Sequence, residues 1–114
     1  MIAFSPLMLI GTMVTASIVQ MGPAFSLPLA VGQTIEKADS ELIGLGWKPN
    51  PEATPMIEER QRSGVNLKSL SSCSGTGIGF CRFDYRKGEE NLSIVTVPEH
   101  HDEQTTSIVE RWWQ

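Results

Sequence analysis

Residues 73–86 read Cys-Ser-Gly-Thr-Gly-Ile-Gly-Phe-Cys-Arg-Phe-Asp-Tyr-Arg and carry the strongest structural signal of the chain. Glycine occupies every second position between Ser74 and Phe80, as a tight loop between two cysteines requires. From residue 80 onward, apolar and charged side chains alternate, and this period of two predicts a half-buried antiparallel strand. One face would carry Cys81, Phe83 and Tyr85, and the other would carry Arg82, Asp84 and Arg86.

Two helices are predicted upstream of this strand. The first covers residues 33–46, with Thr34 as its N-cap and an apolar stripe at helical spacing. The stripe consists of Ile35, Ala38, Leu42 and Leu45. The second helix is short: it begins at Thr54-Pro55, with threonine as the cap, and ends at Gly64. Trp47, just past the first helix, is expected to pack in the core.

The remaining segments favour strands. Residues 65–72 are a weak strand candidate, residues 87–91 form a hairpin turn, and residues 92–97 and 106–113 are strand-like. Residues 98–105 are predicted to be a polar loop. The expected fold class is α+β, with two N-terminal helices packed on a three- to four-stranded antiparallel meander with one disulfide.

The segment before this domain is uncharged, because no charged residue occurs before Glu36. Residues 1–26 are predicted to be a signal peptide, with an apolar run at residues 7–19 and cleavage before Leu27. The polar residues in that run make it a poor membrane span. A signal peptide normally begins with a basic residue, and this segment has none, so an uncleaved hydrophobic anchor and a wrongly assigned initiation site are the alternatives. The mature chain, residues 27–114, would be a single small α+β domain, periplasmic or secreted, with no stable membrane span after processing.

The two cysteines, Cys73 and Cys81, are predicted to form a disulfide, because exported domains with an even cysteine count favour one. Free or redox-active thiols are the alternative. Closing a loop of about nine residues is worth roughly 2.6 kcal/mol in the chain-entropy treatment. Because the bond would consume both thiols, it removes the strongest nucleophiles of the chain.

Composition and motifs exclude several functions. The formal net charge is −4, which disfavours nucleic acid, since phosphate binding needs a basic face. The glycine loop does not match a phosphate-binding loop, because a strand follows it and it contains no lysine. No cofactor is predicted. The chain also lacks the Gly-x-Ser-x-Gly elbow of hydrolases.

His100 and His101, within the acidic segment 99–103, are candidate metal ligands, since imidazole and carboxylate suit Zn, Cu or Ni. Adjacent residues of an extended segment point to opposite sides, so a solvated acidic loop is the competing interpretation. A small hydrolase that pairs a serine with one of these histidines is a further alternative.

The C-terminal strand offers candidate binding residues. Trp112 and Trp113 would face opposite ways, so one can enter the core while the other is exposed beside Arg111. Closure of the core by both rings is the competing interpretation. With a residue from the sheet, the candidate binding set is Tyr85, Arg111, Trp112 and Trp113.

Three segments carry a resemblance: Gly46-Trp47-Lys48-Pro49, the cysteine-flanked loop with Arg82-Phe83, and Leu92-Ser-Ile-Val-Thr96. With the terminal Trp strand, they resemble small exported bacterial proteins of unknown function, of the type seen in cyanobacteria. The resemblance implies a secreted α+β domain with a disulfide and no established activity. The expected function is therefore an exported, non-enzymatic module that binds a protein or cell-envelope component, with metal handling or hydrolysis as alternatives.

Overall fold

The computed structural model describes residues 26–114, which form two helices and five strands. In chain order these are α1 (Ile35–Gly44), β1 (Lys48–Pro49), α2 (Ile57–Ser63), β2 (Leu70–Cys73), β3 (Cys81–Lys87), β4 (Glu90–His101) and β5 (Gln104–Trp113). The predicted signal peptide, residues 1–26, lies outside the described residues except for Ser26. Within the described part, no helix has the length and apolarity needed to cross a bilayer.

All five strands belong to one antiparallel sheet in the order β1-β3-β4-β5, with β2 also paired to β3. Strand β3 is central: β4 pairs along its whole length, from Cys81↔Thr96 to Lys87↔Glu90. On the opposite edge, β1 and β2 share β3, through Lys48↔Arg86 at one end and Cys73↔Cys81 at the other. Strand β3 therefore receives neighbours from three separate parts of the chain.

The predicted architecture of two N-terminal helices on a three- to four-stranded meander is wrong. The helices lie in the middle of the chain, β1 separates them, and the sheet has five strands. The missed strand follows Gly46, whose φ of +99° turns the chain sharply enough for Lys48 and Pro49 to reach β3. A strand of two residues is too short to show any period, so the pattern could not reveal it. The α+β mixture and the disulfide are confirmed.

The segment predicted as a polar loop, residues 98–105, is instead the end of a long hairpin. Strand β4 runs to His101, β5 starts at Gln104, and a two-residue turn joins them. Both strands are polar here, so no alternation of apolar residues marks them. Pro98 is tolerated because it pairs with Ser107 beyond the Cys81↔Thr96 pair, where β4 has only one neighbour.

The core lies between α1 and one face of the sheet. Helix α1 buries Ile35, Ala38 and Leu42, and Thr34 caps it as predicted by accepting a hydrogen bond from the Lys37 N–H at 3.3 Å. Trp47 packs in this core as expected, whereas Leu45 is 51% exposed because the helix ends before it. The sheet side of the core consists of Leu70, Cys73, Cys81, Phe83, Tyr85, Leu92, Ile94 and Val109.

Tyr85 ties α1 to the sheet. Its hydroxyl donates to Asp39 Oδ1 at 2.7 Å and accepts from Ser69 Oγ at 2.9 Å, while the ring is fully buried. Burial raises the pKa of Tyr85 far above its ordinary value, with the Asp39 carboxylate adding to the shift. The phenol therefore stays protonated, and its hydroxyl makes hydrogen bonds within the fold to Asp39 and Ser69.

Helix α2 begins at Ile57 with Met56 as its N-cap, and the predicted start at Thr54 is wrong; its end at Gly64, with φ +72°, is as predicted. Glu59 explains the later start, since its carboxylate accepts hydrogen bonds from the Met56 N–H at 2.7 Å and the Cys73 N–H at 2.9 Å. These two donors, Met56 first, hold the pKa of Glu59 below its ordinary value. The carboxylate therefore links α2 to the disulfide.

We expect Glu59→Gln to lower the stability of the domain at neutral pH and to have progressively less effect in acid. The pKa of Glu59 is lower in the folded than in the unfolded chain, so its contribution is complete above the ordinary value of 4.5. It is lost as pH falls through the lower, folded value. Urea titrations of both proteins from pH 7 to pH 3 would measure this. Glu58→Gln, on the same helical turn but without these two bonds, is the matched control; a constant gap between wild type and Glu59→Gln would contradict the assignment.

Candidate functional site

The sheet face opposite the helices carries the candidate site, here called the outer face. Residues on this face alternate with the core residues along β3, β4 and β5, and the register places them in three rows across the strands. The rows are Arg86 with Asn91; Asp84 with Ser93 and Trp113; and Arg82 with Val95 and Arg111.

Asp84 organises this face although it is only 5% exposed. Its carboxylate accepts hydrogen bonds from Ser93 Oγ at 2.6 Å, from Arg82 Nε at 3.1 Å and from Ser71 Oγ. Ser71 Oγ in turn accepts from the Glu52 N–H at 2.9 Å. A buried carboxylate is stable only when its oxygens are satisfied, and here donors from β2, β3 and β4 do so. Asp84 thus fixes the positions of its neighbours.

Among these neighbours, Arg82 also contacts the exposed Trp113 ring. Its guanidinium lies between two carboxylates, with Nη2 at 3.0 Å from Glu52 Oε2 and Nε at 3.1 Å from Asp84 Oδ1. The same group lies over the Trp113 ring, 5.7 Å from its centre, where a cation–π attraction adds to the ion pairs. The Arg82 side chain is 35% exposed and Trp113 is 45% exposed. The pair is therefore held in place and still accessible.

A cleft of about 260 Å³ opens beside this pair. Its lining includes the exposed Trp113, the buried Tyr85 and several polar residues, among them Asn50, Asn91 and Glu52. Such a combination of planar polar groups and one exposed aromatic ring can hydrogen-bond a ligand and stack on it at the same time.

The predicted binding set is divided between the two faces. Trp113 and Arg111 lie on the outer face, and Arg111 is 5.5 Å from the Phe80 ring and paired to Glu110 at 2.7 Å. Trp112 pairs with Ile94 and packs half-buried against the core, and Tyr85 is inside the core. The opposite orientation of the two tryptophans is as the sequence predicted.

Sequence reasoning missed the groups that hold Trp113 in place: Arg82, Asp84, Ser93, Ser71 and Glu52. The alternation in residues 80–86 did place Arg82 and Asp84 on the solvent side of β3. That an aspartate at such a position is buried depends on Ser71 and the segment around Glu52, which arrive from elsewhere in the chain. The sequence did contain a signal for this network, because Arg82 and Asp84 are two positions apart and therefore lie on the same face of the strand.

The two histidines lie near the tip of the β4–β5 hairpin and on opposite sides of it. His100 Nδ1 is 2.9 Å from Thr105 Oγ1, and His101 Nε2 is 2.6 Å from Glu99 Oε1. Across residues 26–114, no three side chains of the metal-binding types gather in one place. No serine hydroxyl in this part of the chain hydrogen-bonds to either imidazole. Within residues 26–114, the side-chain hydrogen bonds of these histidines are therefore the His100–Thr105 and His101–Glu99 contacts.

Neither a family model, nor a curated protein, nor a solved structure matches this chain.

Proposed function

We propose that the domain is an exported, non-enzymatic module, periplasmic or secreted, that binds a protein or cell-envelope component through its outer face. Export is supported by the signal-peptide pattern of residues 1–26 and by the resemblance to small exported proteins. The Cys73–Cys81 disulfide is consistent with an oxidising compartment, which agrees with this placement.

The observation that carries the proposal is the exposed Trp113 ring beneath the Arg82 guanidinium, which two carboxylates orient. Tryptophan and arginine are the residue types that contribute most to binding energy when they lie at the centre of an interface. Because two carboxylates already orient Arg82, little side-chain entropy remains to be lost on binding. The pair is therefore preorganised for recognition.

A binding role also fits the state of the polar groups on this face. Asp84 accepts three hydrogen bonds and its nearest cation is Arg82, so the carboxylate has a structural task. Ser71 and Ser93 each donate their hydroxyl proton to Asp84 and act as links in the network. The face offers shape, a ring and hydrogen-bonding groups, which are the requirements of recognition.

We expect Trp113→Ala to reduce retention of the purified mature domain on an envelope fraction by about tenfold, the usual scale for an aromatic anchor. The measurement is a sedimentation assay of wild type and variant over a range of protein concentrations. Ile43→Ala removes an apolar side chain of α1 that is 44% exposed, against 45% for Trp113, and serves as the matched control. Equal retention of wild type and Trp113→Ala would overturn the proposal.

A further inference from the structure

A second cleft lies beside the first one, at the β1 edge of the sheet. It has a volume of about 350 Å³, and its lining includes the cationic Lys48 and Arg86 of the outer face and Lys87, which alternates to the other face of β3. Asn50 lines both clefts, and Asn91 of the first cleft is the cross-strand partner of Arg86. The two clefts together are called the outer groove below.

The cationic end of the groove contains an arrangement that costs stability. Lys48 and Arg86 are direct cross-strand partners, and like charges in such a pair repel each other. Across the described residues 26–114, neither Lys48 nor Arg86 forms an ion pair with a carboxylate, and Arg86 Nε donates to the Gly88 carbonyl at 2.8 Å. The chain has more acidic than basic residues, so carboxylates for neutralisation are plentiful. Proteins tend to break such local rules of stability at functional sites.

The other end of the groove differs in charge and in chemistry. Arg82 there is paired with two carboxylates, those of Glu52 and Asp84, so this end of the groove offers no net positive charge to a ligand. This end of the groove presents the Trp113 ring to a ligand, beside polar side chains that also line the cleft. The complementary ligand therefore carries negative charge at one end and a hydroxyl-bearing ring with an apolar face at the other.

We propose that the outer groove binds an anionic polysaccharide, with a carboxylate or sulfate group at Lys48 and Arg86 and a sugar ring against Trp113. The inference rests on the proposed function and names the ligand class for that face. Strand geometry places the Arg86 row about 7 Å from the Asp84–Trp113 row, so neighbouring sugar units can reach both ends. A sugar is favoured over a peptide because Trp113 is the only exposed aromatic ring among the residues that line the groove.

The test is isothermal titration of the mature domain with an oligogalacturonate, which carries carboxylates, and with a carrageenan-derived oligosaccharide, which carries sulfates, so that the two kinds of recognition are separated. We expect at least one of them to bind, and binding to weaken as salt is added. The double variant Lys48→Gln/Arg86→Gln should weaken that binding by about tenfold. Lys37→Gln/Lys68→Gln removes two exposed cations from other elements and is the charge-matched control. Maltohexaose, which is neutral, and inorganic polyphosphate are the comparison ligands.

A second variant separates loss of binding from loss of folding. Lys48→Glu places opposite charges across the strands, so its Tm should rise by roughly 2–4 °C while oligosaccharide binding is lost. Absence of binding to both anionic sugars, or binding that survives the double variant, would overturn the inference. Equal affinity for polyphosphate, insensitive to Trp113→Ala, would also overturn it, since plain charge attraction would then suffice. Failure here leaves the proposed function intact if envelope retention still depends on Trp113.

Discussion

Asp84→Ala is expected to lower the free energy of unfolding by about 3 kcal/mol, because it leaves a polar network without its acceptor. Three donors lose their partner at once: the hydroxyls of Ser71 and Ser93 and the guanidinium of Arg82. Arg82 remains partly exposed, so water can solvate its charge and the loss stays below that of a fully buried ion pair. The two hydroxyls have no such relief, because Ser71 and Ser93 are buried.

Urea unfolding followed by circular dichroism, with linear extrapolation to water, measures this effect. Asp84→Asn is the matched control: it keeps the shape and one acceptor oxygen, so its loss should be clearly smaller than that of Asp84→Ala. The variants should also release Arg82 from Trp113 and change the tryptophan emission. Equal stabilities of Asp84→Ala and wild type would show that the network contributes nothing to the fold.

The alternation of residues 80–86 predicted which face of β3 each side chain from Cys81 to Arg86 occupies, because a strand has a fixed period of two; Lys87, predicted to lie in the turn, is the last residue of the strand. It could not predict that Asp84 is buried on the solvent side. That burial depends on Ser71, which lies at an irregular position of β2, and on the backbone of Glu52. Tertiary contacts of this kind leave no mark on the local pattern.

The outer groove could not be predicted from the local sequence pattern either. The pairing of Lys48 with Arg86 joins residues far apart in sequence through a two-residue strand, for which no periodic signal exists. By contrast, the opposite faces of Trp112 and Trp113 follow from adjacency alone and were predicted. The hairpin beyond Val97 was missed because its cross-strand pairs, such as His100↔Thr105, are polar on both faces. Backbone pairing and the tight turn hold that hairpin, and composition does not report either one.

Replacing the disulfide with Cys73→Ala/Cys81→Ala is expected to cost about 3–4 kcal/mol, a large part of the 5–15 kcal/mol typical of a small domain. Roughly 2.6 kcal/mol comes from the freedom regained by the unfolded chain, and the rest from lost packing. Both cysteines belong to the buried core, so the alanines leave unfilled space there.

The loss of stability should be greatest in the segments that the disulfide holds to the sheet, namely β2 and α2. Strand β2 has four residues and pairs only with β3, and the Glu59 carboxylate ties α2 to the same cysteine backbone. Amide exchange in β2 and α2 should therefore accelerate more than exchange in β4 and β5, which hold each other along a long ladder. Wild type treated with dithiothreitol is the control, and it should approach the urea midpoint of the double variant. A midpoint unchanged by both treatments would mean that strand pairing alone keeps β2 on the sheet.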